Sequence, residues 1–342
     1  MKSKVGVVVP CFKVTRHILQ VIESIGDDVD NIYVVDDACP DGTGDLVEQQ
    51  CADARVRLIR NPTNLGVGGA VMRGYQAAIE DDMDVIVKLD GDGQMDPALL
   101  PEFVGPIIAG EADYTKGNRF FDLEQISTMP RTRLLGNAAL SFLTKLSSGY
   151  WDVFDPTNGY TAIHRDVARH LPWHRISQRY FFETDMLFRL NTVGAVVIDI
   201  PMDAKYGDEV SNLNPGKVFL EFLGKHSVNL AKRIFYNYYL RGMSIASLEL
   251  PTGLGLLLFG TLYGAYNWHY YSAASAPTPT GTIMIAVISI LTGFQLLLAF
   301  LTTDMGSVPR RVVHKRLAKR IRHPVNTGQQ SPDKPDGHNR TS

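Results

Sequence analysis

The chain has 342 residues and a formal net charge of −2, from 34 basic and 36 acidic residues. This length allows one or two domains, and the near-neutral charge gives no reason to expect nucleic acid as a partner. The three cysteines are an odd number without the spacing of metal ligands, which favours a reduced, cytosolic catalytic region over a disulfide scaffold.

Four short apolar runs in the first part of the chain predict β-strands. Each is too short for a helix and apolar enough to be buried on both faces, as strands of parallel sheets are. Segments with helical periodicity separate them, and this alternation predicts an α/β fold with a doubly wound, mostly parallel sheet. The runs are residues 5–9, 31–35, 56–59 and 85–89.

Carboxylates follow two of these strands directly. Asp36 and Asp37 end the second strand, and Asp90 and Asp92 follow the fourth. The carboxyl ends of parallel strands meet at one edge of the sheet, where ligands bind in open α/β folds. Oxygen ligands suit Mg²⁺ and Mn²⁺, which proteins usually share with substrate phosphates. The Asp-x-Asp triplet therefore indicates a metal–phosphate site, with plain turn chemistry as the alternative.

A glycine-rich turn at residues 61–70 precedes the third predicted helix. Glycines at a helix N-terminus let backbone N–H groups approach a phosphate or a ribose, with close helix–sheet packing as the alternative role of such a turn. A dinucleotide-binding oxidoreductase would instead carry Gly-x-Gly-x-x-Gly after the first strand. That strand ends in Pro10-Cys11-Phe12-Lys13, without glycine, so hydride transfer is disfavoured.

Four motifs follow one another in the chain: Val7-Val8-Val9-Pro10, Val34-Val35-Asp36-Asp37 with Asp41-Gly42-Thr43, Asn61 and Asn64 with Gly66 and Gly68, and Asp90 and Asp92 with Gln94. In this order and spacing they resemble the catalytic domain of the family-2 glycosyltransferases with a GT-A fold. Within that family the chain is most similar to polyprenyl-phosphate glycosyltransferases of the dolichol-phosphate mannose synthase type, over residues 4–205. The first strand departs from the family's Pro-x-Tyr-Asn-Glu pattern, because Phe12, Lys13 and Val14 replace its last three residues.

The resemblance implies a site for a nucleotide-diphosphate sugar. It implies a Mg²⁺ or Mn²⁺ ion on the diphosphate, held by Asp90, Asp92 and Gln94. Such an ion stabilises the negative charge that the leaving group gains as the sugar–oxygen bond breaks. Inversion at the sugar is implied by the resemblance alone. The residues expected to border the nucleotide are Pro10, Asp36, Asp37, Asn64, Gly68 and Asp90.

Three arginines, Arg119, Arg131 and Arg133, lie in sequence around this acidic region. Guanidinium groups match phosphate oxygens, so we expect a clamp for the acceptor phosphate, with ordinary surface charge as the alternative.

Three acids are candidates for orienting or deprotonating the acceptor. Asp155 resembles the family's second acidic block, and an Asx turn is its alternative role. Glu183 and Asp185 fall where related transferases carry an acid that faces the sugar or the acceptor. For Asp185 a helix N-terminal charge is an equal alternative.

Two segments, residues 250–271 and 282–303, contain no Asp, Glu, Lys or Arg. Each exceeds the length of about 20 residues that crosses a bilayer. The loop between the two segments lacks Lys and Arg, whereas basic residues precede the first segment and are frequent in residues 310–322. Because positive charge in short loops marks the cytoplasmic side, both termini and the catalytic domain are predicted to be cytoplasmic. Residues 217–241 alternate apolar and basic side chains, which suits a helix lying on the membrane surface or a packed connector.

The predicted segments are a catalytic domain at 1–212, an amphipathic interfacial region at 213–243, two transmembrane helices within 244–304, and a basic, then disordered cytoplasmic tail at 305–342. The predicted function is metal-dependent, inverting transfer of one sugar from a nucleotide diphosphate to a membrane polyprenyl phosphate on the cytosolic face. The sequence leaves the sugar, the lipid length and homo-oligomer formation open.

Two alternatives remain from the sequence. A membrane glycosyltransferase that extends a lipid-linked or polymeric glycan would need Asp155 or Asp185 as a hydroxyl-activating base. A non-catalytic membrane scaffold is supported only by the altered Phe12-Lys13-Val14 loop, and the intact Asp90 and Asp92 argue against it.

Overall fold

The computed structural model describes residues 2–121, 131–203 and 215–317, and for residues 131–135 and 215–219 it describes the backbone alone. Within these ranges seven strands form one mixed sheet in the order β3-β2-β1-β4-β6-β5-β7. Only β6 is antiparallel to its neighbours in this sheet, so the predicted mostly parallel α/β fold is confirmed. The strands are β1 Val5–Cys11, β2 Asn31–Asp36, β3 Val56–Arg60, β4 Val85–Lys88, β5 Tyr114–Asn118, β6 Thr161–His164 and β7 Val197–Pro201.

Helices cover both faces of the sheet and then continue beyond it. In chain order they are α1 Ile18–Glu23, α2 Thr43–Gln50, α3 Val67–Glu80, α4 Leu100–Ala109, α5 Arg131–Ser148, α6 Arg165–His170, α7 Phe182–Val193, α8 Pro215–Phe235, α9 Ala246–Ala273 and α10 Thr280–Gly306. A π-helical turn, Tyr236–Leu240, joins α8 to the segment before α9.

The strand β1 is buried over its whole length because two cores enclose the sheet. Val7 and Val9 point into one core and Val8 into the other, as the two-residue period of a strand requires. The helix α3 packs so closely on β1 that a Cβ at Gly74 would lie 2.2 Å from a methyl of Val8. The absence of a side chain at Gly74 therefore lets α3 pack directly on β1, with the glycine-rich turn at its N-terminus.

The helices α9 and α10 are 28 and 27 residues long, and by length and composition both can cross a membrane. They contain the two predicted spans and pack against each other at glycines. A Cβ at Gly253 would lie 3.0 Å from the Gly293 carbonyl oxygen, and one at Gly260 would lie 2.9 Å from that of Ala286. Only 11% and 17% of their most apolar windows are buried, unlike the core helices of a soluble domain.

The segment after α10 returns to the catalytic domain. Val308, Val313 and Leu317 pack against one of the two cores, although residues from 305 onward are predicted as tail. The Asp113 carboxylate accepts hydrogen bonds from the Val313 and His314 backbone N–H groups, and His314 Nδ1 lies 2.6 Å from its Oδ1. The predicted disordered end of the tail lies outside the described residues.

Candidate active site

A first cavity of about 520 Å³ opens at the carboxyl ends of β1, β2 and β4. Of the residues expected to border a nucleotide, Pro10, Asp37, Asn64 and Asp90 line it. Phe12 and Val14, where the chain departs from the family pattern, line it too. So do Arg179 and Tyr180 from the loop before α7, which no sequence pattern singled out for this cavity.

Asp37 holds the glycine-rich turn against the end of β2. Its carboxylate accepts hydrogen bonds from Asn61 Nδ2 at 2.8 Å, from the Leu65 N–H at 2.9 Å and from the Gly66 N–H at 2.8 Å. Gly66 has φ +84, and a Cβ there would lie 2.8 Å from the Gln178 carbonyl oxygen. The turn is therefore built on a buried carboxylate and a position that only glycine fits.

The remaining two residues predicted for the nucleotide have other surroundings. Asp36 accepts a hydrogen bond from the Cys39 N–H at 3.0 Å and lies 3.9 Å from Arg60 Nη1. Gly68 faces Phe182, since a Cβ at this glycine would lie 2.7 Å from that side chain. Both residues thus shape the loops around the first cavity.

Asp90 and Asp92 both line the first cavity, as a metal–diphosphate site requires. Asp92 Oδ1 accepts a hydrogen bond from the Gln94 backbone N–H at 3.0 Å. Among the described residues there is no group of three or more His, Cys, Asp or Glu side chains that could hold a metal ion. Two carboxylates that face an open cavity fit a hard cation whose coordination is completed by substrate phosphates.

Lys88, the last residue of β4, is a buried cation that the sequence analysis did not single out. Its Nζ lies 2.9 Å from Asp90 Oδ1 and 3.2 Å from Glu183 Oε1, and its side chain is 1% exposed. Burial alone would lower the pKa of Lys88, but the carboxylates of Asp90 and Glu183 outweigh it and raise this pKa above its ordinary value. A Cβ at Gly159 would lie 2.4 Å from Lys88 Nζ, so the chain passes directly over this ion pair.

A second cavity, of about 610 Å³, adjoins the first, and Val67, Asp90 and Tyr180 line both. Lys88 and Glu183 lie with Asp90 at its polar end. The rest of its wall is mostly apolar. It consists of Gly136, Ala139, Leu140 and Leu143 from α5, Phe222 and Leu223 from α8, and Thr157 and Gly159 from the loop before β6. The first cavity, which is the more polar of the two, and the mostly apolar second cavity therefore meet at the Asp90–Lys88–Glu183 cluster.

Asp155 and Arg119, predicted for different roles, bind each other. Arg119 Nε lies 2.8 Å from Asp155 Oδ2, and Nη2 lies 3.2 Å from Oδ1. Asp155 is fully buried. Burial would raise the pKa of Asp155, but the hydrogen bonds and the charge of Arg119 reverse this effect and lower it. The pair therefore has the features of a structural anchor beside the second cavity.

The other two candidate acids differ in their surroundings, although both are on α7. Glu183 lines the second cavity and pairs with Lys88. Asp185 accepts hydrogen bonds from the Ser177 N–H at 2.9 Å and from Asn229 Nδ2 at 3.1 Å, which ties α7 to α8. The side chains of Arg131 and Arg133 lie outside the described part of the chain.

Residues 6–171 match the sequence profile of glycosyl transferase family 2. An undecaprenyl-phosphate mannosyltransferase from Micrococcus luteus is 32% identical over 174 residues, which cover 50% of this chain and 70% of that protein. A UDP-N-acetylglucosamine–dolichyl-phosphate N-acetylglucosaminyltransferase from Methanococcus voltae is 29% identical over 187 residues, 51% of this chain and 74% of that protein. The structure of glucosyl-3-phosphoglycerate synthase from Mycobacterium tuberculosis with UDP aligns with a TM-score of 0.48 and 21% identity, over 68% of this chain and 80% of that one.

Proposed function

This chain belongs to glycosyl transferase family 2 and is a glycosyltransferase, and we propose that it transfers one sugar from a nucleotide diphosphate to a membrane polyprenyl phosphate. The observation that carries the proposal is the junction of the first and second cavities at Asp90, Lys88 and Glu183. A polar donor and an apolar acceptor chain need this kind of junction. The names of the Micrococcus luteus and Methanococcus voltae relatives, which state undecaprenyl phosphate and dolichyl phosphate, support the same substrate class.

In this proposal the first cavity takes the nucleotide diphosphate. Pro10 and Asn64 border the nucleotide, and Asp37 keeps the glycine-rich turn in place beside it. Asp90, Asp92 and Gln94 would hold Mg²⁺ or Mn²⁺. When bound, the ion supplies positive charge to the departing diphosphate.

The acceptor phosphate enters from the second cavity with its hydrocarbon chain along α5 and α8. A phosphate monoester has a second pKa of about 6, so it is largely ionised near neutral pH and needs positioning more than a strong base. Lys88 provides a fixed positive charge at the junction, and Glu183 orients that charge. The acceptor oxygen attacks the sugar on the face opposite the diphosphate, so the transfer that we propose inverts the sugar's configuration.

We further propose that α9 and α10 cross the membrane and that the catalytic domain and both termini are cytoplasmic. The length, the apolar composition and the exposure of both helices support the first part. The cytoplasmic location of the catalytic domain and both termini is supported by the basic residues that flank the two helices and by the uncharged loop between them. The acceptor then lies in the same membrane that holds the enzyme.

The test is transfer of label from a panel of radiolabelled nucleotide sugars into polyprenyl phosphate, with the full-length protein in lipid and Mg²⁺ or Mn²⁺ present. Asp92→Ala should abolish the label in the lipid phase, whereas Asp28→Asn, at a carboxylate whose side chain is 90% exposed, should not change it. Label that appears only with a glycan acceptor would indicate glycan extension instead. Absence of both transfer and nucleotide binding would indicate a non-catalytic scaffold.

A further inference from the structure

A third cavity, of about 400 Å³, lies between α8 and the segment that leads into α7. This segment contributes alternately to two cavities. Tyr180 and Glu183 line the second cavity, whereas Ser177, Phe181 and Asp185 line the third. The third cavity is therefore separate from the proposed active site but shares a wall with it.

The third cavity carries an excess of positive charge. Four cations line it, Arg175, Arg189, Lys225 and Lys232, against two acids, Asp185 and Glu221. The Glu221 carboxylate lies 2.8 Å from Lys225 Nζ, and Asp185 Oδ1 lies 3.8 Å from Arg189 Nε. Within the described ranges neither the Arg175 guanidinium nor the Lys232 ammonium forms an ion pair. Among the described residues, the charges of these two cations in the cavity wall are therefore not neutralised by an acid.

Arg189 adds a buried donor that lacks a hydrogen-bond partner. The residue is 9% exposed, and within the described part of the chain its Nε has no acceptor. Its Nη2 donates to the Arg175 carbonyl oxygen at 3.0 Å, which fixes the guanidinium in the wall of the cavity. Arg189 therefore places a positive charge in the cavity wall, with the Asp185 carboxylate 3.8 Å from its Nε.

Two exposed apolar side chains of α8 line the same cavity. Leu220 is 70% exposed and Val228 is 51% exposed. A free phosphate would leave both in water. A molecule with a phosphate group and hydrocarbon chains would contact the cations and these two side chains together.

We propose that the third cavity binds the headgroup of an anionic membrane phospholipid. The phosphodiester accepts hydrogen bonds from Arg175, Arg189 and Lys232, and the acyl chains lie along Leu220 and Val228. This inference rests on the proposed membrane location of α9 and α10, which places α8 at the level of the headgroups.

Binding there would also hold the segment that carries Tyr180 and Glu183. The Gln178 carbonyl oxygen accepts a hydrogen bond from the Gly69 N–H at 3.0 Å, so the segment contacts the glycine-rich turn. Phe181 packs edge-on against Phe222 of α8, with ring centroids 5.2 Å apart. A lipid bound between Arg175 and α8 therefore restricts residues on the border of both other cavities.

The test compares full-length protein in nanodiscs of phosphatidylcholine alone and of phosphatidylcholine with phosphatidylglycerol. Native mass spectrometry counts retained phosphatidylglycerol, and hydrogen exchange reports on residues 177–185. Wild type should retain one phosphatidylglycerol and exchange more slowly over this segment when that lipid is present. Arg175→Gln with Lys232→Gln should weaken retention roughly 25-fold and remove the exchange difference, and Lys232→Gln alone should weaken retention roughly 5-fold.

The matched control is Arg241→Gln with Arg310→Gln, which removes two exposed cations outside the cavity. It should behave as wild type. Equal loss of lipid in both double variants would overturn the proposal in favour of diffuse charge attraction. Displacement of phosphatidylglycerol by polyprenyl phosphate would assign the cavity to the acceptor, and binding of inorganic phosphate with equal affinity would assign it to a free anion. Neither readout needs sugar transfer, so failure of the proposed function is detected separately.

Discussion

At the residue scale, Lys88 forms ion pairs with two acids from different parts of the chain, at the junction of the first and second cavities. Asp90 follows Lys88 in the chain, whereas Glu183 comes from α7, 95 residues away in sequence from Lys88. Removal of the cation leaves two carboxylates close together in a mostly buried place. The charge of Lys88 is therefore needed for the fold as well as for the proposed acceptor site.

Lys88→Met should lower the free energy of unfolding by about 3 kcal/mol, because one member of a buried ion pair is lost and its partners remain charged. Adding Glu183→Gln should restore part of this loss, since the double variant has one unpaired carboxylate fewer. Thermal unfolding of wild type, Lys88→Met, Glu183→Gln and the double variant measures the coupling energy between Lys88 and Glu183. Additive effects of the two changes would contradict the pairing.

Asp155→Asn distinguishes an anchor from a catalytic base. The lowered pKa of Asp155 keeps its carboxylate charged throughout the assay range, so this group should contribute no acidic limb to the pH–rate profile. Its stabilising effect is present above the ordinary pKa of 3.8 and is lost only as pH falls below that value. The variant should lose up to about 3 kcal/mol of its free energy of unfolding, the lower end of the cost of breaking a buried ion pair, because the Arg119 side chain is partly exposed. The shape of its pH–rate profile should not change. A stable variant without transfer would instead identify Asp155 as the base.

The sequence predicted which carboxylates lie together in the candidate site better than it predicted their contacts. Asp37, Asp90 and Asp92 follow strands directly, and the carboxyl ends of parallel strands converge, so a local pattern was enough to place them in one cavity. Lys88 lies inside an apolar run, and nothing near it in sequence indicates that Glu183 is its partner. The ion pair between Arg119 and Asp155 joins residues 36 positions apart and was not predicted from the sequence either.

At the element scale, α8 joins the catalytic domain to the long apolar helices. His226 of α8 is 2% exposed, its Nδ1 lies 2.8 Å from Ser147 Oγ, and its ring packs edge-on against Phe181. Asn229 of the same helix binds Asp185. Polar side chains of α8 therefore hold this helix against the catalytic domain. The pattern of alternating apolar and basic residues did not predict these contacts.

The docking of α8 should weaken in acid. Burial lowers the pKa of His226 from 6.5 to about 4, so the folded protein keeps the neutral imidazole while the unfolded chain takes up a proton. The stabilisation is therefore complete above pH 6.5 and is lost as pH falls toward 4, by at most about 3 kcal/mol. His226→Asn should flatten this part of the stability–pH curve, whereas His174→Asn, at an exposed histidine, should not. Equal curves for wild type and His226→Asn would contradict the assignment.

At the scale of the whole molecule, alternating strands and helices predicted the architecture, and two uncharged segments predicted the long helices. The sequence did not predict β6 or β7. β6 has four residues and takes its place between β4 and β5 by antiparallel pairing, which is decided by contacts distant in sequence. The contact of residues 308–317 with Asp113 was not predicted either, because the cluster of basic residues in this segment resembles a solvated tail.

One buried carboxylate connects the last turn of α10 to the rest of the protein. Asp304 accepts hydrogen bonds from Arg233 Nη1 at 2.6 Å, from the Tyr238 hydroxyl at 2.7 Å and from Trp151 Nε1 at 2.9 Å. Arg233 Nη2 also donates to the Leu146 carbonyl oxygen at 2.9 Å. Three parts of the chain, namely α8, the π-helical turn and the loop after α5, thus meet at one side chain of α10.

Asp304→Asn should therefore weaken the connection between α10 and these three parts of the chain. It leaves the Arg233 guanidinium buried without its counter-charge, at a cost of about 3–5 kcal/mol, and it should speed hydrogen exchange in residues 146–151 and 233–238. Replacing the pair by Asp304→Leu with Arg233→Met should recover much of the stability, because no charge stays buried alone. Thr303→Ala is the matched control, since the Thr303 hydroxyl bonds only to Ala299 of its own helix within the described residues. If Asp304→Asn unfolds at the wild-type temperature, the orientation of the catalytic domain on α10 must depend on other contacts.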